Sequence, residues 1–253
     1  VDESVDVIES YLSDDWDKEA ASIDLVAETT QPRGTEEELS KVKDVLGTFT
    51  TSYSTSGANR SGNVKNGCSK INGTLLYPGD SFSAYETVSP FTEANGYYMA
   101  GSYSNGMVVE SLGGGICQVS TTLYNALLLA EIEIDERHNH TMSVHYVPPS
   151  MDAAIAEGSM DLVFTNNLDT PIFISGYAYG GVLTFTVWGK EYRPEDRYVS
   201  YEGVETSTIP APTTTLLYAD NEQNVGYFNQ VQTASPGSTA VCYKYVTYNG
   251  ETT

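Results

Sequence analysis

The chain has 253 residues, 40% of them hydrophobic, with 34 Asp and Glu against 12 Lys and Arg and a formal net charge of -22. That acidity excludes nucleic-acid binding, which needs basic patches, and docking on anionic lipid. The length suffices for one large domain or one domain with partial neighbours and the apolar content for a core, while 22 Gly and 19 Tyr point to a strand-rich, turn-rich fold.

Val5, Ile8, Tyr11 and Leu12 have helical spacing after Ser4, a candidate cap. Residues 21–27 alternate like a strand, and Gln31-Pro32-Arg33-Gly34 breaks the chain. A helix is expected over 35–46, with Thr35 as N-cap and Glu38 in the capping-box position. Residues 47–55 then read as a strand, 63–71 as a short helix burying Cys68 or Val64, and 73–83 as a hairpin-like unit around Pro78-Gly79-Asp80. A Gly-, Asn- and Tyr-rich loop over 95–105 leads to Met107-Val108-Val109.

The run Gly113-Gly114-Gly115-Ile116-Cys117-Gln118-Val119 follows, and an apolar helix-forming stretch continues to about Ala130. This spacing puts a thiol at or near a helix N-terminus, where unpaired N–H groups and the helix dipole favour a thiolate. The same N–H groups suit an oxyanion. His138 and His140 come about twenty residues later; a cysteine with an imidazole nearby is the minimum for thiol-based acyl chemistry. Read as one strand, 138–147 puts His138, His140, Met142, Val144 and Tyr146 on one face and His145 on the other. The alternative is that Cys117 is a small core residue and the histidines are structural.

Residues 160–164, 172–179 and 182–188 read as a β-meander with turns at Asn166-Asn167 and Gly180-Gly181. Tyr192-Arg193-Pro194-Glu195 is the exit from the main domain, and the Ser/Thr/Pro-rich 207–216 reads as linker. No run of about twenty apolar residues exists to span a membrane. Val1 is expected to begin a processed chain or an excised fragment. Cys68 and Cys242 are either a bridge that leaves Cys117 free or two incidental thiols.

Several of these motifs together resemble the VanW domain. They are Ile71-Asn72-Gly73-Thr74, Pro78-Gly79-Asp80-Ser81-Phe82-Ser83, residues 113–126, Glu136-Arg137-His138-Asn139-His140, and Tyr146-Val147-Pro148-Pro149 with Asp152. The resemblance covers roughly residues 45–190, and its motifs stand in the expected order. Cys68 stands where a small residue is expected, and His145 occupies a variable position. The family takes its name from glycopeptide-resistance clusters. Its members resemble exported, membrane-anchored cell-wall proteins, and some are understood to act as L,D-transpeptidases.

The organisation implied is the tail of an upstream wall-binding domain (1–33), a VanW-like domain (34–192), a linker (193–216) and a partial G5-like β module (217–253). The fold expected is α+β, an antiparallel, strand-rich sheet around a central buried helix that begins at the Gly/Cys motif. The activity implied is extracellular: a cell-wall L,D-transpeptidase, without cofactor or metal, acting on peptidoglycan stem peptides through a thioester on Cys117. His140 or His138 is then base and acid, and Asp152 either orients the imidazole or is only a turn residue. The N–H groups of Cys117 and Gln118 are the oxyanion-hole candidates, with Gly113, Gly114 and Gly115 as the floor. Gln118, Ser120 and Thr121 either bond substrate or cap and brace the helix. Arg137 either pairs with a substrate carboxylate or forms a structural salt bridge. Tyr103, Tyr124 and Tyr146 either line the groove or sit in the core. The rival functions are a peptidoglycan cysteine endopeptidase or carboxypeptidase, a non-catalytic wall-binding module, and a zinc site of Cys117, His138 and His140.

Overall fold

A computed structural model of the chain describes residues 2–19, 22–25, 33–104, 106–215, 217 and 219–253. Residues 1–36 and 37–253 form separate compact units. In the first, Asp2–Ser10 is helix α1, followed by a π-helical turn over Tyr11–Asp15. Ser4 lies inside α1 rather than at its cap, and residues 22–25 carry no regular structure. Ala21, Val26, Ala27, Gln31 and Pro32, on which the expected strand and break also depend, lie outside the described residues.

Helix α2 (Glu36–Leu39) is a single turn, followed by β1 (Asp44–Ser52), α3 (Ala58–Ile71), β2 (Thr74–Leu76), β3 (Ser81–Ser83) and α4 (Ala84–Val88). Next come β4 (Met99–Ser104), β5 (Met107–Leu112), α5 (Cys117–Leu129), β6 (Glu133–Glu136) and β7 (Val163–Thr165). The chain closes with β8 (Ile172–Tyr179), β9 (Val182–Gly189), β10 (Tyr198–Ile209), β11 (Gly237–Tyr248) and β12 (Glu251–Thr252).

The main sheet is antiparallel in the order β1-β9-β8-β2. Leu183, Phe185 and Val187 alternate along β9 and are fully buried. Helix α5 packs on β1 and β9, and α3 packs on β8. Val119, Leu123, Ala126 and Leu127 of α5 are all 0% exposed. A buried Leu contributes about 1.5–3 kcal/mol of transfer free energy, so this face is a main part of what holds the helix to the sheet. The close seating needs Gly47, because a Cβ there would strike the Ala126 carbonyl and the Ala130 nitrogen. The fold is therefore α+β with antiparallel sheets, and α5 lies at its centre.

Tertiary pairing changes several local expectations. The helix expected over 35–46 stops at Leu39, because Asp44 to Leu46 join β1, where Val45 pairs with Trp188 and Leu46 is buried. The loop over 95–105 is largely β4, which pairs with β5 from Met99↔Leu112 to Ser104↔Met107; Asn105 lies outside the described residues. The unit at 73–83 is not a hairpin: β2 pairs with β8, whereas β3 pairs with β7. The meander is likewise divided, since β7 sits between β3 and β6 while β8 and β9 belong to the main sheet. No strand runs through 138–147; His138 makes a single bridge to Ala154. Finally, the expected linker over 193–216 contains β10, twelve residues long and paired with β11 from Tyr198↔Thr247 to Ile209↔Gly237.

Candidate active site

The glycine run turns the chain from β5 into α5. Gly113 and Gly115 have φ of 81° and 101°, in the region that favours glycine. Gly114 presses on β4, where a Cβ would collide with the Ala100 carbonyl. Asn63 of α3, fully buried, pins this arrangement: its Nδ2 donates to the Gly114 carbonyl at 3.0 Å and to the Tyr98 carbonyl at 2.9 Å, and its Oδ1 accepts from Tyr98 N–H at 2.8 Å. A tight turn delivers the chain to the helix, with Gln118 N–H donating to the Gly115 carbonyl at 3.1 Å and Val119 N–H to the Ile116 carbonyl at 2.8 Å. The Gln118 amide, one of two oxyanion candidates, is thus engaged in the turn.

Cys117 is the first residue of α5 and half-buried, with its thiol 3.5 Å from the Ile155 carbonyl. The loop after β6 brings His140 near enough for Cys117 to act on the charge of the imidazole. Asp152 holds the other side of the ring. Its Oδ2 accepts from both Nδ1 and the backbone N–H of His140, each at 2.7 Å, and its Oδ1 accepts from Arg137 Nη2 at 2.9 Å. An ionised carboxylate only accepts, so Nδ1 carries a proton and Nε2 is the ring nitrogen that Asp152 leaves open for proton transfer. The His140 side chain is only 9% exposed. Burial pushes its pKa down, but the bonds and charges of Asp152 and Cys117 outweigh this and hold it up at about 9. Burial also pushes the Asp152 carboxyl up, and the bonds and charge of His140, with Arg137, bring it below its ordinary value. Tyr103 of β4 stands edge-on to His140, with ring centroids 6.3 Å apart.

The remaining residues divide by what they touch. His138 bonds Glu136 Oε1 at 2.9 Å, is 41% exposed, and makes no hydrogen bond to Cys117, His140 or Asp152. His145 is exposed. Gln118 is buried and donates to Thr51 Oγ1 and the Ser52 carbonyl, at 3.0 and 2.9 Å. Ser120 donates to the Ala153 carbonyl at 2.7 Å, and Thr121 both donates to that carbonyl at 3.2 Å and accepts from Ala153 N–H at 2.9 Å. These three side chains brace α5 against β1 and the segment after Asp152. Arg137 does the same for the 150–152 turn, donating to the Asp152 and Ser150 carbonyls at 2.6 and 3.2 Å while lying over the Tyr124 ring. Tyr146 is half-buried and pushed well above its ordinary value by burial and then by Cys117. Cys68 is a buried free thiol in the core, pushed up to about 11 by burial, and Cys242 is also free. His138 does not join Cys117 and His140, and no group of three or more His, Cys, Asp or Glu among the described residues is arranged to hold a metal ion.

Sequence reading misses Asn63 and gives Tyr103 only as a groove or core residue. Neither has a local signature for its place: each matters because α3 and β4 meet at the glycine turn.

Residues 59–188 match the family model described as VanW like protein. This chain belongs to the VanW-like family. It is 37% identical over 146 residues to the protein YoaR of Bacillus subtilis (strain 168), covering 58% of this chain and 48% of that one. It is 31% identical over 112 residues to the vancomycin B-type resistance protein VanW of Enterococcus faecalis (strain ATCC 700802 / V583), covering 42% of this chain and 41% of that one. The chain thus spans less than half the length of these curated relatives. No solved structure matches it. The matched span of this VanW domain contains Cys117, His140 and Asp152. No helix among the described residues is long and apolar enough to cross a membrane.

Proposed function

We propose that this VanW domain is a cysteine acyltransferase of the cell wall, an L,D-transpeptidase that forms 3-3 cross-links between peptidoglycan stems. The observation that carries the proposal is the line Cys117–His140–Asp152, with the thiol on the first residue of a buried helix and the imidazole held by a carboxylate. The vancomycin-resistance name of one relative supports the cell-wall setting.

In this reading Cys117 attacks the carbonyl of the third stem residue, at the L-centre of a diamino acid. The thiol proton resides on His140, and the thioester forms as the C–N bond to the terminal D-alanine breaks. His140 passes its proton to the leaving amine. The side-chain amine of a second stem then attacks the thioester, loses a proton to His140 and releases Cys117. Asp152 stabilises the imidazolium, and Arg137 positions Asp152. The Cys117 N–H remains the oxyanion-hole candidate; the glycine turn fixes where it points. His138 has no step in this scheme. Water in place of the second amine makes the same site a carboxypeptidase. Export, membrane anchoring of the full-length protein and the flanking wall-binding and G5-like modules belong to the same proposal.

Intact mass spectrometry after incubation with a tetrapeptide stem tests it. The expected result is a mass gain equal to the stem minus D-alanine, absent from Cys117→Ala. An acceptor stem should then discharge the adduct into a cross-linked dimer. A wild-type protein that binds the stem yet gains no mass and releases no D-alanine would sink the proposal in favour of a non-catalytic binding module.

A further inference from the structure

Arg60 lies on the first turn of α3 and runs along the glycine turn just before the thiol. A Cβ on Gly115 would meet its Cγ at 2.7 Å, Nε at 3.2 Å and Cζ at 3.4 Å, so the glycine makes room for this side chain. The guanidinium donates from Nη1 to Ser56 Oγ at 2.6 Å. No carboxylate among the described residues lies within ion-pair distance of it, in a chain with 34 Asp and Glu. The other arginines of the same unit are all spoken for: Arg137 pairs with Asp152, Arg193 with Glu191, and Arg197 with Glu131. Arg60 is half-buried, so part of its hydration is already lost without a countercharge in return. Gly115, on which Arg60 packs, stands two residues before Cys117, and the phenol of Tyr146 feels both the Cys117 and the Arg60 charge.

We propose that Arg60 is a carboxylate anchor beside Cys117, taking a carboxylate of the donor stem in a two-pronged pair while the scissile carbonyl sits over the thiol. The planar fork of guanidinium matches a carboxylate in a way that a lysine ammonium does not. The identity of the donor rests on the transpeptidase reading above; the anion preference at the thiol does not. A tetrapeptide donor offers two such groups, the terminal carboxylate of the leaving residue and the side-chain carboxylate of a diamino-dicarboxylic third residue.

The test compares wild type, Arg60→Gln and Arg60→Lys in two assays. The first is alkylation of Cys117 by iodoacetate and by its neutral analogue iodoacetamide. Arg60→Gln should slow iodoacetate about tenfold while leaving iodoacetamide unchanged, with Arg60→Lys between. The unchanged iodoacetamide rate reports an intact site. Equal effects on both reagents, or none on either, would overturn the proposal. The second assay is turnover of the tetrapeptide. Arg60→Gln should raise KM about tenfold with kcat nearly kept. A donor amidated at its C-terminus that loses as much in wild type, and loses nothing more in Arg60→Gln, assigns the terminal carboxylate. The same pattern in a donor with lysine as third residue assigns the side-chain carboxylate. Sensitivity of both neutralised donors to Arg60→Gln would overturn the anchor. Should wild type turn over no stem at all, the transpeptidase reading fails, and the alkylation ratio still decides Arg60.

Discussion

At the scale of residues, the site turns on how Asp152 is spent. Both of its oxygens are taken, by Arg137 on one side and by two N–H groups of His140 on the other. This anchors the Nδ1–H and holds the imidazole pKa well above its ordinary range, at about 9. On the proposed mechanism turnover should fall as pH rises through about 9, where the acid needed by the leaving amine is lost. In Asp152→Asn the high-pH limb should move to lower pH; initial rates against pH check this. The same group is linked to stability. Its folded pKa lies above the unfolded 6.5, so its contribution is complete below that value and is lost as pH rises through about 9. The melting temperature of wild type should accordingly converge on that of His140→Gln across this window. His140→Ala should lower the rate by about a hundredfold or more, as loss of a positioned acid–base group does. His138→Ala should leave it nearly unchanged, since His138 bonds only Glu136 with its ring.

At the scale of elements, the glycine turn and the first turns of α5 form one rigid unit. Gly114 must lack a Cβ because the Ala100 carbonyl occupies its place, and Asn63 ties the same turn to β4. Gly114→Ala should therefore displace Cys117 and cost both stability and alkylation rate, which thermal melts and iodoacetamide kinetics read separately. Thr121→Val removes a buried hydroxyl that serves Ala153 as both donor and acceptor. Ser120 still serves the Ala153 carbonyl, so the change leaves the buried Ala153 N–H unpaired and should cost roughly 1–3 kcal/mol, measurable by urea unfolding. Gln118, Ser120 and Thr121 were legible in sequence as polar residues at a helix start. Their use as braces rather than substrate ligands was not legible, because it depends on Ser52 and Ala153 arriving from distant parts of the chain. The strand expected over 138–147 failed for a similar reason. Its alternation is real in sequence, but the backbone N–H of His140 is claimed by Asp152, and the segment finds no ladder partner beyond the single bridge at His138.

At the scale of residues 37–253 as a whole, β10 and β11 are joined to the rest through Glu131. This residue stands just past the end of α5 with φ of 57°, where glycine is usual. Its N–H donates to the Leu128 carbonyl at 3.0 Å, and Ile132 N–H donates to that of Leu127 at 3.1 Å, closing the helix. Its carboxylate receives Arg197 and, at 2.6 Å, Lys244 Nζ, while Tyr201 of β10 donates to the Leu128 carbonyl at 2.9 Å. The Arg197 bond, against the cost of burial and aided by Lys244, lowers the Glu131 pKa to about 2. Glu131→Gln should destabilise the unit by roughly 1–3 kcal/mol near neutral pH. Because the folded pKa lies below the unfolded one, that difference is present above the ordinary carboxylate range and should vanish as pH falls through about 2. Urea midpoints of the two proteins against pH provide the check.

The sequence by itself determined the α+β class, the position of α5, the glycine turn that precedes it, and Cys117 at its start. These rest on local chemistry: glycine freedom, apolar periodicity and helix-end geometry act within a few residues. Only the tertiary structure decided which histidine meets the thiol, that Asp152 holds it, and that Tyr198–Ile209 is a docked strand rather than part of a linker. The physical reason is range. His140 and His138 are chemically alike and two residues apart, and what separates them is the buried carboxylate of Asp152, the free thiol and the ring of Tyr103, each brought from elsewhere in the chain. Arg60 belongs to the same class, because its meaning lies in the carboxylates that the fold keeps away from it.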